Sequence, residues 1–427
     1  MNKFLTKFPF YLSIALALAL SIKNFREPDL WWQIRTGQWI IDYKQVPQTD
    51  VFSFTHFGQA WINIKWGFEV LAALLSDAFG PSSVFILQMA CSVFILFFLK
   101  KILDLLELFD PLSFFITSFI LLLGIEYRMI GRPEMFTHLF IVISLYIHLF
   151  AKHKNIKSLW LLIPLQILWT NLHEAYGLGI VIAGIFLVWN LLESRLHKTT
   201  FSFIPILAFL ATLASVAINP RGLLLYKKAI DIYFQVNENK FTSELSSIAS
   251  SLYWQKEAYL FAIIIILLIS SIFALSKQNQ LNKLVQTFTP AYFMLLIAMT
   301  FLAFSAYRNI ALFFLVAFPL LVWLIKHFLP ITFSWSKVLS LIGIISYILV
   351  VSNTYYRFTN SRDRFGLEVL STNNPIGAAQ YIEQKGLTQK KGFADYLSSS
   401  YLLWKLQPDF KTYIDLRDLD VFPKSFF

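Results

Sequence analysis

An acidic residue beside the first apolar segment is the strongest lead to chemistry in this chain. Asp29 lies in the stretch from Glu27 to Trp32 and follows an apolar run that ends near Ile22. This position places a carboxylate where a membrane surface meets water. A carboxylate there is an acceptor of protons and hydrogen bonds, so Asp29 is the first candidate site residue.

Further polar clusters stand at the ends of other apolar runs. With the first cluster, Asp29 to Asp50, they are Arg128 to Glu134, Asn171 to Glu174, Asn219 to Arg221 and Tyr307 to Asn309. All five fall on one side if each apolar run crosses a membrane. Ionisable groups at the ends of spans are costly unless they are paired, solvated or turned toward a cavity, so their shared side predicts one cavity.

Each cluster also has a simpler interpretation. Arginines at these positions could snorkel to lipid headgroups. Asn219-Pro220 could merely end a helix, and His173-Glu174 could be a solvated turn. It is the location of all five clusters on one side that favours a shared cavity.

The elements that must position these groups are apolar helices. Of 427 residues, 57% are hydrophobic and 14% are charged, which is typical of an α-helical polytopic membrane protein. Eleven apolar runs predict about 11 transmembrane helices. The runs are Phe8 to Ile22, Val84 to Leu99, Leu112 to Tyr127, Met135 to Phe150, Leu159 to Leu172, Leu178 to Leu192, Phe201 to Ile218, Tyr259 to Leu275, Phe288 to Phe304, Asn309 to Ile325 and Val338 to Val351.

The charge distribution predicts the orientation. Glu69 and Asp77 interrupt the segment from Trp66 to Phe79, which suits an interfacial helix better than a crossing. With that segment uncrossed, 13 Lys and Arg fall in 57 cytoplasmic residues and 13 in 117 outer residues before residue 354. The positive-inside rule then predicts a cytoplasmic N-terminus. The first span could also be read as a cleavable signal peptide.

Composition excludes several other classes of function. The net charge of +11 comes mainly from the cytoplasmic segments, so it requires no nucleic-acid partner. A single cysteine, Cys91, allows neither an intramolecular disulfide nor a cysteine metal cluster. The sequence has no phosphate-binding Walker loop and no Gly-x-Ser-x-Gly elbow. His173-Glu174 lacks the second histidine of a zinc helix.

Two regions outside the spans have predicted structure of their own. The first outer loop, about residues 23–83, is predicted to hold amphipathic interfacial helices, one of them from Leu30 to Tyr43. Residues 1–353 would form the transmembrane domain and residues 354–427 a small α/β tail on the outer side. In that tail, Asn374-Pro375 predicts a helix start, Gly386 a helix end and Thr412 to Leu416 a strand.

Several of these segments, taken in order, resemble bacterial GT-C-class membrane glycosyltransferase-like proteins that use polyprenyl-phosphate sugars. The segments that carry the resemblance are Asp29-Leu30-Trp31-Trp32, Thr36-Gly37-Gln38-Trp39-Ile40, Pro47 to Thr55, Arg132-Pro133-Glu134-Met135-Phe136, Leu168 to His173, Asn219-Pro220-Arg221-Gly222 and Tyr413 to Arg417. They span nearly the whole chain.

The resemblance implies a GT-C-like fold and a transferase in a bacterial inner membrane. It would move a sugar from a polyprenyl-phosphate carrier to an envelope glycan, lipid or protein on the non-cytoplasmic face. Asp29 would be the base of an inverting displacement, and Arg132, Arg308 and Arg128 would bind the donor phosphate. Sugar or acceptor binding, or a divalent cation, would fall to Asp50, Glu69, Asn171, His173, Glu174, Arg221 and Asn309.

Some residues depart from the family pattern. Ile64-Lys65 stands where a His-Glu pair is frequent, which weakens a metal site, and Gln33 stands where a histidine is frequent. Ser398 to Tyr401 replaces a glycine-rich turn, and the chain ends at Phe427, as a truncated or decayed copy would.

Two other functions fit the same clusters. One is a carrier-lipid flippase or solute transporter, with outward polar groups along a path. That function predicts charges deep within spans, but Glu126, the main candidate, lies near the end of one. The other is an inactive envelope-assembly scaffold, in which Asp29 only caps a helix.

Overall fold

Helices make up almost all of the regular structure. The computed structural model describes residues 2–25, 27–198, 202–238, 243–329, 335–371, 374–417 and 420–422. The first nine helices are α1 (Asn2–Ser21), α2 (Asp29–Tyr43), α3 (Trp66–Phe79), α4 (Phe85–Leu105), α5 (Pro111–Ile125), α6 (Glu134–His153), α7 (Leu162–Leu172), α8 (Gly177–Leu196) and α9 (Ile204–Ser215). The others are α10 (Leu224–Glu238), α11 (Lys256–Lys277), α12 (Leu281–Ser305), α13 (Ile310–Phe328), α14 (Trp335–Val351), α15 (Thr354–Phe358), α16 (Ile376–Gln384) and α17 (Tyr396–Lys405).

Each of the eleven apolar runs forms a helix. In the described part of the chain, seven helices are long and apolar enough to cross a membrane: α4, α5, α6, α8, α11, α12 and α13. Four more are apolar over shorter stretches: Lys7–Ser21 within α1, Ile156–Leu172, which ends with α7, and the helices α9 and α14. These helices confirm a helical multi-pass membrane protein, whereas eleven crossings stay a prediction. α3 is in neither group.

α13 lies at the centre of the helix bundle. Its residues from Ile310 to Leu324 are all buried. α5 approaches it closely at Gly124, where an added Cβ would lie 2.4 Å from Cδ2 of Phe314. Close packing at small residues stabilises the association of membrane helices, because the hydrophobic effect does not favour their association within lipid.

The first outer loop forms a layer on one end of the bundle. α2 crosses α3 at Gly37, where a Cβ would lie 1.9 Å from the carbonyl oxygen of Glu69. The helix predicted from Leu30 to Tyr43 is therefore present, but it does not lie in an open interface. Arg35 is buried, because α3 and the tail cover the helix that was expected to lie in the open interface.

The tail packs onto α2. Trp31 donates a hydrogen bond from Nε1 to Oδ1 of Asn374 over 2.6 Å, and its ring meets the ring of Tyr401 edge to face at 4.9 Å. Two short parallel strands, β1 (Lys391–Gly392) and β2 (Lys411–Thr412), pair Lys391 with Lys411. The tail thus forms part of the layer above the bundle, while a domain boundary at residue 353 stays a prediction.

Local expectations in the tail and the outer loop had mixed outcomes. α16 begins directly after Pro375, and Gly386 follows its end with φ +65°. The strand predicted from Thr412 to Leu416 is wrong beyond Thr412, because the chain turns there to bury Asp415. Sequence reasoning also missed α17. An expected turn at 237–239 is a helix end at 237 and 238, and residue 239 lies outside the described residues.

Candidate functional site

One cavity of about 410 Å³ lies at the end of the bundle that carries the first outer loop. Residues from chain reversals, loops and the tail line it together. The titratable lining residues are Asp29, Lys65, Arg128, Arg132, Glu134, His173, Glu174, Glu244, Arg308, Tyr396 and Asp420. Four of the five clusters singled out in the sequence, the one that contains Asp29 and three others, therefore contribute to this cavity. The Asn219 to Arg221 cluster does not line it.

Asp29 is the first residue of α2 and faces the cavity. Pro28 precedes it with φ −71°, a value suited to starting a helix, and an acidic residue in the first turn is favoured by the helix dipole. Trp32 donates from Nε1 to Oδ1 of Asp29 over 3.3 Å. Oδ2 lies 3.2 Å from Nη2 of Arg132, and the side chain remains 26% exposed. The carboxylate is held on two sides and open to the cavity.

The three arginines of the cavity differ in how fully they are paired. Arg128 is 4% exposed and donates to Glu134 through Nε over 2.8 Å and through Nη2. Arg132 reaches Glu27 at 2.5 Å as well as Asp29. Arg308 has the longest ion-pair contact of the three in the described part of the chain. The nearest carboxylate oxygen lies 3.8 Å from its Nη1.

That carboxylate belongs to Glu244, which links all three arginines. Its Oε2 lies 2.5 Å from Nη1 of Arg128 and 3.5 Å from Nη1 of Arg132. Burial raises the pKa of Glu244, but Arg128, Arg132 and Arg308 together lower it to about 2. Glu244 is therefore ionised at neutral pH and serves as the internal counter-ion of the arginine group.

A second ion-pair group lies on the side of the cavity formed by α3 and the tail. Lys65 Nζ lies 2.6 Å from Oε1 of Glu174 and 3.9 Å from Oδ2 of Asp420. The ammonium also sits 4.8 Å from the ring centroid of Trp32. Burial lowers the pKa of Lys65, but Glu174 and Asp420 raise it above its usual value, so the side chain stays charged.

His173 lies on the cavity wall as a neutral imidazole. Trp169 donates from Nε1 to Oγ1 of Thr137 over 2.7 Å, and that hydroxyl lies 2.7 Å from Nδ1 of His173. The backbone N–H of Ala175 donates to Nδ1 over 3.4 Å, so Nδ1 is an acceptor and the ring hydrogen of His173 lies on Nε2. Burial lowers the pKa of His173 to about 3.

Asp50 does not line the cavity. It is fully buried and pairs with Arg417 of the tail, whose Nη1 lies 2.7 Å from Oδ1. The backbone N–H of Phe52 also donates to Oδ1, and the Ser53 hydroxyl donates to Oδ2. These contacts make Asp50 part of the joint between the first outer loop and the tail.

The other predicted residues outside the cavity also bind protein groups. Glu69 accepts a hydrogen bond from Asn63 over 2.5 Å, and burial raises its pKa to about 8. Asn171 accepts from Trp66 over 2.7 Å. Arg221 donates to the carbonyl of Pro47 over 3.1 Å, and Asn309 to the carbonyl of Leu302 over 3.1 Å.

Sequence reasoning did not select several charged or polar lining residues. Glu244 and Asp420 lie in loop and tail segments without a periodic pattern, and Tyr396 also lies in the tail. Gln33 and Lys65 were noted only as departures from the family pattern. The charge of Glu244 in a loop long enough to cover a cavity was the one available signal.

The cavity does not fit a divalent cation. Within the described residues, no group of three or more His, Cys, Asp or Glu side chains is arranged to hold a metal ion. The carboxylate of Asp29 pairs with Arg132, and that of Glu174 pairs with Lys65. These cationic side chains stand where a metal ion would have to bind.

No protein-family model matches the chain, and no curated protein matches it. Among solved structures, the chain is similar to an archaeal oligosaccharyltransferase, AglB from Archaeoglobus fulgidus, in complex with an inhibitory peptide and a dolichol-phosphate. The TM-score is 0.39 at 13% identity, and the match covers 96% of this chain and 56% of that chain. The chain thus spans little more than half the length of that protein.

Proposed function

We propose that this protein is an inverting membrane glycosyltransferase of the type its sequence resembles. It would transfer a sugar from a polyprenyl-phosphate carrier to an envelope glycan, lipid or protein on the non-cytoplasmic face of a bacterial inner membrane. The observation that supports this proposal is that one cavity combines Asp29 with Arg132 and Arg308, which are far apart in the sequence.

Asp29 suits the acceptor half of the reaction. Its carboxylate takes the proton of an acceptor hydroxyl, and that oxygen forms a bond to the anomeric carbon of the sugar. The bond from this carbon to the phosphate oxygen breaks, and its electron pair leaves with the polyprenyl phosphate. Trp32 and Arg132 occupy one position on each carboxylate oxygen, which leaves further lone pairs for the hydroxyl.

The arginines suit the phosphate half. A guanidinium keeps its charge and offers paired donors to phosphate oxygens. Arg308 has the most donors to spare, because its nearest carboxylate oxygen is beyond normal hydrogen-bond distance. A phosphate bound by Arg308 and Arg132 would replace Glu244 as their partner.

Arg128 has a different role in this proposal. It is buried, and its donors are taken by Glu134 and Glu244. We assign it to positioning these two carboxylates, and the phosphate contact to Arg308 and Arg132.

The test is mass spectrometry of envelope glycans and polyprenyl-linked sugars in a deletion strain. The strain is complemented with wild type, Asp29→Asn or Asp42→Asn. Asp42 is a matched control because it is an exposed aspartate on the same helix, α2. We expect wild type and Asp42→Asn to restore a missing sugar, and Asp29→Asn to leave its carrier-linked donor accumulated.

Two results would contradict the proposal. Restoration by Asp29→Asn at the wild-type level would show that Asp29 is no base and would favour the scaffold. A deletion that changes no glycan but alters the sidedness of a carrier lipid would favour the flippase. The structure weakens the cap interpretation of Asp29, because in the described residues its carboxylate meets side chains of Trp32 and Arg132 and no backbone N–H of α2.

A further inference from the structure

A second polar cavity lies at the opposite end of the bundle. It has a volume of about 130 Å³ and lies between α6, α8 and α12. α6 begins at Glu134, which lines the first cavity. Near the other end of α6, His148 lines the second cavity. The polar and aromatic residues that line it are His148, Lys152, Phe186, Trp189, Asn190 and Thr289.

Three polar atoms on side chains that line this cavity have no hydrogen-bond partner among the described residues. They are Nε2 of His148, Nε1 of Trp189 and Oγ1 of Thr289, and all three are buried. An unpaired buried polar group is destabilising, so three of them on side chains that line one small cavity call for a ligand that satisfies them.

The backbone is also strained at this place. Thr289 has φ +66° inside α12, a value that a β-branched residue rarely adopts. Pro290 follows it and has no N–H to continue the helix. Strain of this kind persists where the surroundings impose it and is concentrated at ligand sites and switches. Thr289 is one of the residues that line the cavity.

The charges and aromatic rings indicate the kind of ligand. The one charged lining residue, Lys152, pairs with Glu193 at 2.5 Å, which leaves an essentially uncharged set of hydrogen-bonding groups. His148 stacks on Phe186 with ring centroids 4.2 Å apart. Uncharged donors and acceptors beside aromatic faces suit hydroxyl groups better than a phosphate.

Depth indicates where the ligand comes from. His148, Trp189 and Thr289 lie five to eight residues from the nearest ends of α6, α8 and α12. At 1.5 Å per residue this is about 8–12 Å below the helix ends, near the boundary of headgroups and lipid chains. We propose that this cavity binds an uncharged, hydroxyl-bearing group, supplied by the headgroup of a glycolipid in the leaflet opposite the first cavity. The proposal does not depend on the transferase.

The test uses full-length protein in phosphatidylcholine nanodiscs that contain a photoreactive monoglucosyl-diacylglycerol. Cross-linked peptides are located by mass spectrometry. We expect saturable labelling of α6, α8 or α12 next to the cavity, competed by unlabelled monoglucosyl-diacylglycerol. In the variant Trp189→Phe/Thr289→Val, which removes two of the unpaired groups at nearly constant volume, half-saturation should need about tenfold more probe.

Thr300→Val is the matched control. Thr300 lies on the same helix, but its hydroxyl donates to the carbonyl of Leu296 over 2.8 Å within α12. Its labelling should equal that of wild type. If the double variant does not fold, the single variants Trp189→Phe and Thr289→Val give the same comparison.

The competitors separate the sources of the ligand and the alternatives. Competition by free glucose at millimolar concentration would retain the hydroxyl-bearing ligand but assign it to a soluble source. Labelling that is not saturable, that a photoreactive phosphatidylglycerol matches, or that the variants leave unchanged would overturn the proposal. The cavity would then hold only water or bulk lipid.

Discussion

The molecule contains two groups of arginines and carboxylates that are built from the same residue types and arranged differently. In the joint between loop and tail, Arg417 lies between Asp50 and Asp415, and its side chain and both carboxylates are fully buried. In the cavity, Arg132 and Arg308 are 23% and 27% exposed and share carboxylates at distances of 2.5 to 3.8 Å.

The difference lies in which donors remain free. Arg417 uses Nε and Nη2 on Asp415 over 2.8 and 2.7 Å and Nη1 on Asp50 over 2.7 Å, while the rings of Phe52 and Trp61 cover it at about 5 Å. Nothing further can bind there. Arg308 has donors turned to a space large enough for a ligand. A structural ion pair therefore differs from a candidate binding site in how deeply it is buried and in how many of its hydrogen-bond donors are already used. The residue types are the same.

The largest expected effect separates Asp29 from Asp50. In a transfer assay with a polyprenyl-phosphate sugar, Asp29→Asn should lower kcat by about 10²–10⁴-fold, the usual contribution of a general base. Asp50→Asn should lower the thermal stability and leave kcat per folded molecule near the wild-type value. If both variants lost kcat equally at equal folded fractions, Asp29 in the cavity and Asp50 in the joint could not be assigned different roles.

The second prediction concerns the joint itself. Arg417→Leu leaves Asp50 and Asp415 buried without their cation, and breaking a buried pair in this way costs about 3–5 kcal/mol. We expect a large fall in the melting temperature of the detergent-purified protein, with protease cleavage between the tail and α14. Arg357→Leu, at an exposed arginine of α15, should change stability by less than about 0.5 kcal/mol. Wild-type melting of Arg417→Leu would mean that the tail is not held by this joint.

The sequence predicts the helices well and the pairing of charges poorly. Each apolar run forms a helix, because hydropathy is a local property of the sequence and an apolar segment in lipid must pair its own backbone groups. Asp29 and Glu174 could be placed in one cavity from the ends of the spans. Asp50 could not be distinguished from Asp29, since its partner Arg417 is 367 residues away. Glu244 reaches the arginines from a loop, where no periodicity indicates direction.

Glu69 gives a third prediction, as a buried carboxyl group that accepts a hydrogen bond from the neutral amide of Asn63. Burial raises its pKa to about 8 in the folded protein, against 4.5 ordinarily. Between these values the folded state keeps a proton that the unfolded state has released, so stability falls as pH rises through this window. The slope for one group is at most about 1.4 kcal/mol per pH unit.

Glu69→Gln should flatten this dependence. Melting temperatures of wild type and variant, measured from pH 5 to pH 8, would diverge most at the alkaline end, with the variant the more stable. The control is Glu107→Gln, at an exposed glutamate, which should keep the wild-type slope. A wild-type slope in Glu69→Gln would assign the pH dependence to another group.

The smallest expected effect tests the free donors of Arg308. Arg308→Ala removes a guanidinium whose only close carboxylate partner in the described part of the chain is Glu244 at 3.8 Å, so folding should be nearly unchanged. If Arg308 binds the donor phosphate, the KM for the polyprenyl-phosphate sugar should rise about tenfold, since one hydrogen bond to a charged group contributes about 1.5–3 kcal/mol. Arg221→Ala removes an arginine outside the cavity lining and should leave this KM unchanged. An unchanged KM in Arg308→Ala as well would leave the cavity arginines as structural as Arg417, and the phosphate half of the proposed reaction would have to be abandoned.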